Sequence, residues 1–144
     1  MVSLLKFLNK RYCVYVLKCS RQQTNKFNKI KNITVFRCAL GAGLMRLDWS
    51  NIKKELYGLS LKHIIKCCGG HVDFLKCDCE GGEWSISPDD LKGIRRIEIE
   101  VHDFDGKHPH SNFFHVLDQA GFSYTYNIVN SQITLIHAKS KVII

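Results

Sequence analysis

Apolar residues along this chain alternate between two spacings, one of about 3.6 residues and one of 2, and the alternation predicts a succession of helices and strands. Leu4, Leu5 and Leu8 share one side of a helix over residues 2–8, and residues 12–17 follow as a strand. Ser20 caps a polar, lysine-rich helix that runs to about residue 30, and residues 33–38 form a second strand ending in Ala39, Leu40 and Gly41. Gly41 and Gly43 open a less regular passage that includes residues 44–49. Ser60 then caps a short helix through Ile65, which Gly69 and Gly70 stop. A third strand over residues 72–77 ends abruptly in charge. Pro88, Asp89 and Asp90 start another short helix, closed by Gly93. In the fourth strand, residues 95–102, Ile97, Ile99 and Val101 alternate with Glu98, Glu100 and His102, so one face carries three polar groups. Such a face is costly unless it lies at an edge or a site. Residues 111–120 predict a helix with Phe113, Phe114, Leu117 and Ala120 inward and Gly121 as its stop, and residues 122–126 and 132–137 predict a closing hairpin.

Helices alternating with strands predict a three-layer α/β domain whose sheet is mostly parallel with an antiparallel C-terminal edge. Its ligand crevice is expected at the carboxyl ends of the strands. At 144 residues, 45% of them apolar and only two proline, the chain is expected to form a single domain, 1–144, with no linker. No apolar run approaches the roughly 20 residues that cross a bilayer. Residues 1–8 are apolar, but Lys10 and Arg11 interrupt them and no small-residue cleavage site follows, so a cytoplasmic location is expected. Seven cysteines, an odd number, fall in or beside strands rather than at disulfide spacings, and they read as reduced core residues. The net charge of +8 admits an anionic partner such as nucleic acid, and lysines cluster at Lys26, Lys29 and Lys31 and again at Lys53 and Lys54, yet no base-stacking aromatics interleave them. A solvated helix face explains these charges equally well.

The third strand carries the densest chemistry. Val72 to Glu83 brings Lys76, Asp78, Glu80 and Glu83 to a strand exit, with Gly81 and Gly82 letting the backbone turn tightly or approach a ligand. Asp78 is the first candidate for touching cofactor or substrate, against the plainer role of a turn aspartate. Glu83 serves as well as a first-turn acid favoured by the helix dipole. Lys76 is explained as well by pairing with Asp78 or Glu100 as by substrate contact. His102 titrates near neutrality and is the best candidate for a general base. Residues 102–110 hold three histidines and two aspartates, but their spacing matches no metal template, so no metal is expected and a polar loop is the simpler reading, although a divalent ion between Asp78, Glu80 and His102 would fit the chemistry. Trp49 and Trp84 are read as packing residues.

The run Lys76-Cys77-Asp78-Cys79-Glu80-Gly81-Gly82-Glu83, followed some twenty positions later by Glu100 and His102, resembles the FkbM family of S-adenosylmethionine-dependent methyltransferases. Residues 35–41 resemble the family's preceding strand and turn, residues 60–65 its short helix, and residues 117–122 its later helix with a Gly-Phe exit. The resemblance implies a Rossmann-like methyltransferase fold and O-methylation of a hydroxyl on a sugar-containing or other small-molecule acceptor. It implies catalytic roles for Asp78, His102, Glu100 and Lys76. Cofactor contacts would come from Cys38, Ala39, Leu40, Asp78 and Glu80, and substrate contacts from Glu83 and His102. The family's first strand and glycine-rich loop would precede residue 1, and Lys18 stands where the family places an acid for the ribose hydroxyls. These departures imply an alternative, a methyltransferase-fold remnant or binding module without catalysis, with nucleic-acid binding a further one. An absent first strand would also leave a sheet edge that a second copy covers as a homodimer.

Overall fold

The computed structural model describes residues 14–17, 33–36, 39–41, 43–49, 52–79 and 81–142. These fall into two compact units that divide between Leu59 and Ser60. The helices expected over residues 2–8 and 20–30 lie outside the described residues, as do Lys18, Cys38 and Glu80.

In the first unit, β1 (Val14–Leu17) pairs in parallel with β2 (Ile33–Phe36), Val14 opposite Ile33. A separate sheet joins β3 (Ala39–Leu40) in parallel to β5 (Ile52–Leu59), which pairs antiparallel with β4 (Gly43–Trp49) on its other side. Residues 44–49, expected to be irregular, are therefore one strand of a hairpin. Their signal is the alternation of Met45, Leu47 and Trp49 with Arg46 and Asp48, a period of two that the glycines in front of it obscure.

The second unit opens with α1 (Leu61–Cys67), capped by Ser60, whose Oγ accepts the His63 N–H at 3.3 Å. Leu61, Ile64 and Ile65 are its buried face. Gly70 at φ 82° ends it, donating its N–H to the Ile65 carbonyl at 2.9 Å. A four-stranded mixed sheet follows, with β6 (Leu75–Asp78), β7 (Arg96–His102), β8 (Phe122–Asn130) and β9 (Ile133–Ser140) in the order β6-β7-β9-β8. The β6–β7 pair is parallel, and β9 lies antiparallel between β7 and β8. The closing hairpin is thus longer than its sequence signal, and its second strand sits inside the sheet. Val72, expected in the third strand, makes only an isolated bridge to Ile94.

Register builds the core. Ile97, Ile99 and Val101 of β7 stand opposite Ala138, Ile136 and Thr134 of β9, and all six are buried. Against β7 and β8 packs α2 (His110–Gln119), which buries Phe113 and Leu117. Phe114, expected inward, is half-buried and stacks on Tyr124 with centroids 5.3 Å apart. Each fully buried aliphatic or aromatic side chain contributes about 1.5–3 kcal/mol relative to exposure. The opposite face of β7 is left to Glu98, Glu100 and His102.

Between β6 and β7 the chain makes a 3₁₀ turn, Pro88–Leu91, against which both α1 and α2 pack. Asp90 ties it together. Its Oδ2 accepts the Ser87 N–H at 2.9 Å and the Ser87 hydroxyl at 2.6 Å, while its Oδ1 accepts the Lys62 N–H of α1 at 3.2 Å. Gly93 follows at φ 84°, where a Cβ would stand 2.5 Å from the Gly70 carbonyl oxygen, so only glycine fits. Burial works to raise the Asp90 carboxyl, but the Ser87 hydroxyl and amide and the Lys62 amide outweigh it and hold the carboxyl below its ordinary range. A group depressed on folding stabilises the protein above its unfolded-state value, and that stabilisation is lost as pH falls through the folded-state value. Asp90→Ala is expected to cost about 1–2 kcal/mol at neutral pH. Urea unfolding of the two proteins should converge when both are brought below the carboxylate range.

Candidate active site

β6 and β7 are parallel neighbours, so their carboxyl ends release the chain on the same side of the sheet. Register sets Lys76 opposite Glu98 and Asp78 opposite Glu100, and the alternation of the strand carries His102 onto the same face. Asp78, Glu100 and His102, candidates from two separate sequence segments, are thereby brought together. One ligand-capable atom of each lies within 4.8 Å of the other two.

The centre of the site is Glu83. Gly81, at φ 96°, folds the chain back after β6 into a 3₁₀ turn, Gly82–Ser85, and delivers the Glu83 side chain to complete burial. Its Oε2 accepts the Gly81 N–H at 2.7 Å, and its Oε1 accepts the Cys79 N–H at 3.0 Å. The same Oε1 lies 2.9 Å from Nδ1 of His102, itself only 3% exposed. A carboxylate accepts and does not donate, so the imidazole proton sits on Nδ1 and Nε2 turns toward Asp78, whose Oδ1 is 4.0 Å away. Phe104 stacks on the histidine ring with centroids 5.0 Å apart, and Trp84 Nε1 donates to the His102 carbonyl at 2.6 Å. The imidazole is therefore fixed by a carboxylate, an aromatic face and its own backbone.

Lys76 points along the same face. It pairs with Glu98 and lies 3.9 Å from Glu100, which makes it a charge balance within the sheet. Glu98, not among the partners expected for Lys76, also lies 3.5 Å from His137 Nδ1. Glu83, expected to touch an acceptor, is instead buried behind His102 and holds it in place. The three histidines of residues 102–110 separate. His108 stacks on Trp84 at 4.9 Å and His110 Nδ1 lies 2.7 Å from Thr134 Oγ1, so only His102 joins the carboxylates. Trp84 is both a packing residue, edge-on to Phe113, and a clamp on the loop after β7. Leu40 is buried in the first unit beside Ala39, while Cys38 and Glu80 lie outside the described residues.

Cys77 and Cys79 flank Asp78 with their sulfurs 3.4 Å apart. The bond to Cys79, together with burial, raises the Cys77 thiol well above its ordinary range. Of the cysteines described, Cys77 is buried, Cys68 and Cys79 are half-buried and Cys67 is exposed, so the expected core role holds for only part of the set.

A family model for a methyltransferase domain matches residues 3–138. The chain belongs to that methyltransferase-domain family. No curated protein and no solved structure matches it.

Two measurements test the local architecture. Glu83→Ala leaves the Cys79 and Gly81 amides and His102 Nδ1–H without their acceptor, and at about 1–3 kcal/mol per orphaned group it should lose about 3 kcal/mol or more, with Glu83→Gln losing less because one oxygen remains. Alkylation of the native chain at neutral pH, read by peptide mass spectrometry, should modify Cys67 and leave Cys77 protected until the protein is unfolded.

Proposed function

We propose that the chain transfers a methyl group from S-adenosylmethionine to a hydroxyl of a sugar-containing or other small-molecule acceptor, as an FkbM-like methyltransferase of the cytoplasm built on a Rossmann-like three-layer fold. The observation that carries this reading is the chain of contacts from Glu83 through His102 to Asp78 at the carboxyl ends of two adjacent parallel strands. Open α/β sheets bind ligands at that end.

Methyl transfer from a sulfonium is an in-line displacement. The acceptor oxygen forms a bond to the methyl carbon, the carbon–sulfur bond breaks with its electrons going to sulfur, and the hydroxyl proton must leave. His102 Nε2 is the proton acceptor in this reading, with Glu83 as a positioning residue on Nδ1. Asp78 and Glu100 offer the negative field that a sulfonium favours, and Lys76 keeps that field from repelling itself. Holding the acceptor in line supplies most of the remaining acceleration. By the family resemblance alone, Cys38, Ala39, Leu40 and Glu80 would contact the cofactor.

Calorimetric titration of the full chain with S-adenosylmethionine and S-adenosylhomocysteine tests the reading. Micromolar binding is expected, about −8 kcal/mol, and Asp78→Asn should weaken it by about tenfold. A folded chain that binds neither nucleoside would overturn catalysis and leave the binding-module reading.

A further inference from the structure

We propose that Asp78, Glu100 and His102 form a binding site for one divalent transition-metal ion. Each offers one ligand atom, the three atoms lie within 4.8 Å of one another, and they come from the ends of two strands whose register holds Asp78 opposite Glu100. An acidic pair alone would not define such a site. The distinguishing observation lies outside the three ligands, in how the imidazole is held.

Metal-bound histidines donate their second ring N–H to a carboxylate, which fixes tautomer and ring orientation and leaves the other nitrogen's lone pair for the ion. Nδ1 of His102 is held in this way. It is 2.9 Å from Glu83, a carboxylate with no exposure whose oxygens are themselves fixed by the Cys79 and Gly81 amides. Nε2 is thereby directed at Asp78, 4.0 Å away. Phe104 stacks on the ring and prevents its rotation.

Two carboxylate oxygens and one imidazole nitrogen suit Mn²⁺, Fe²⁺, Co²⁺ or Zn²⁺, whereas Ca²⁺ and Mg²⁺ prefer oxygen alone. Ligands about 2.1 Å from an octahedral ion stand about 3.0 Å apart when adjacent and about 4.2 Å apart when opposite, so loading draws the three groups together by about 1 Å. Glu100 is half-buried at its strand end, where side-chain rotation supplies that movement, while the Asp78 side chain, 4% exposed, already faces Nε2. Three protein ligands leave the remaining positions open. With an ion bound, Nε2 would be a ligand and not the proton acceptor of the methyl-transfer reading; if that reading also holds, the ion would supply the acidification of an acceptor hydroxyl in an open position, its proton leaving to solvent. The metal site itself does not rest on that reading.

Titration of the full chain with Mn²⁺, followed by loss of the free-ion paramagnetic resonance signal and by thermal unfolding, tests the site without any assay of activity. One Mn²⁺ per chain is expected, with a raised melting temperature. Asp78→Asn and Glu100→Gln should each weaken binding by about 10-fold or more, while Asp89→Asn, an exposed acid elsewhere, leaves it unchanged. Unaltered binding in both ligand variants, or an equal loss in Asp89→Asn, would show diffuse attraction and overturn the proposal. So would the absence of binding at millimolar Mn²⁺ in a chain shown to be folded. Metal binding with no S-adenosylmethionine binding would uphold this site and sink methyl transfer, and the reverse pattern would do the opposite.

Discussion

The fully buried carboxylate of Glu83 is the constraint on which the site depends. Burying a charge is tolerated only when its oxygens are satisfied, and here three donors from three places do so: the Cys79 amide at the end of β6, the Gly81 amide of the turn, and Nδ1 of His102 at the end of β7. One side chain thus joins the two strand exits, beside the Trp84 Nε1–H bond to the His102 carbonyl and the 4.0 Å approach of Asp78 to His102. If Glu83 moves, the turn after β6 loses its acceptor and the imidazole loses its orientation together. Stability and chemistry are coupled at this point, because the groups that make the acid tolerable are the ones that aim Nε2.

The sheet divides its labour by face. Alternation along β7 gives Ile97, Ile99 and Val101 to the core and Glu98, Glu100 and His102 to the other side, and parallel pairing with β6 adds Lys76 and Asp78 to that polar face. Carboxylates this close repel unless a cation intervenes. Lys76 supplies one between Glu98 and Glu100, so the field is partly neutralised at the strand middle and strongest at the strand end. A cationic ligand, whether a sulfonium or a metal ion, is therefore drawn to the exit of the strands rather than along their length.

What could be read from the sequence was what local geometry decides. The Ser60 cap, the glycines at 70, 93 and 121, and the apolar alternation of β7 all act within a few residues, and each element formed where those signals stood. The strand at Gly43–Trp49 was missed although its alternation was present, because the glycines before it pointed to a loop. The insertion of β9 between β7 and β8 is a matter of topology that no local pattern encodes. The site shows the same division. Asp78 and His102 stood out by type and place, but Glu83 behind His102 and Glu98 against Lys76 depend on partners 19 and 22 residues away. The only advance signal for Glu98 was its place on the same polar face as Glu100.

A chain of net charge +8 that gathers acids at its candidate site poses an electrostatic question, since long-range repulsion and local attraction act on a cationic ligand with opposite sign. Magnitudes decide it. Two unit charges about 4 Å apart attract by about 4 kcal/mol at an effective dielectric constant of about 20. Exposed charges farther away than about 10 Å are largely screened at ordinary ionic strength. Asp78 and Glu100 stand beside a buried imidazole, whereas the exposed Lys62, Lys92 and Lys141 of the same unit act through solvent. Among the described residues the local term therefore prevails. In the proposed reading a positively charged cofactor or ion would be retained by the two carboxylates, while the net charge of the chain would speed the encounter with an anionic acceptor.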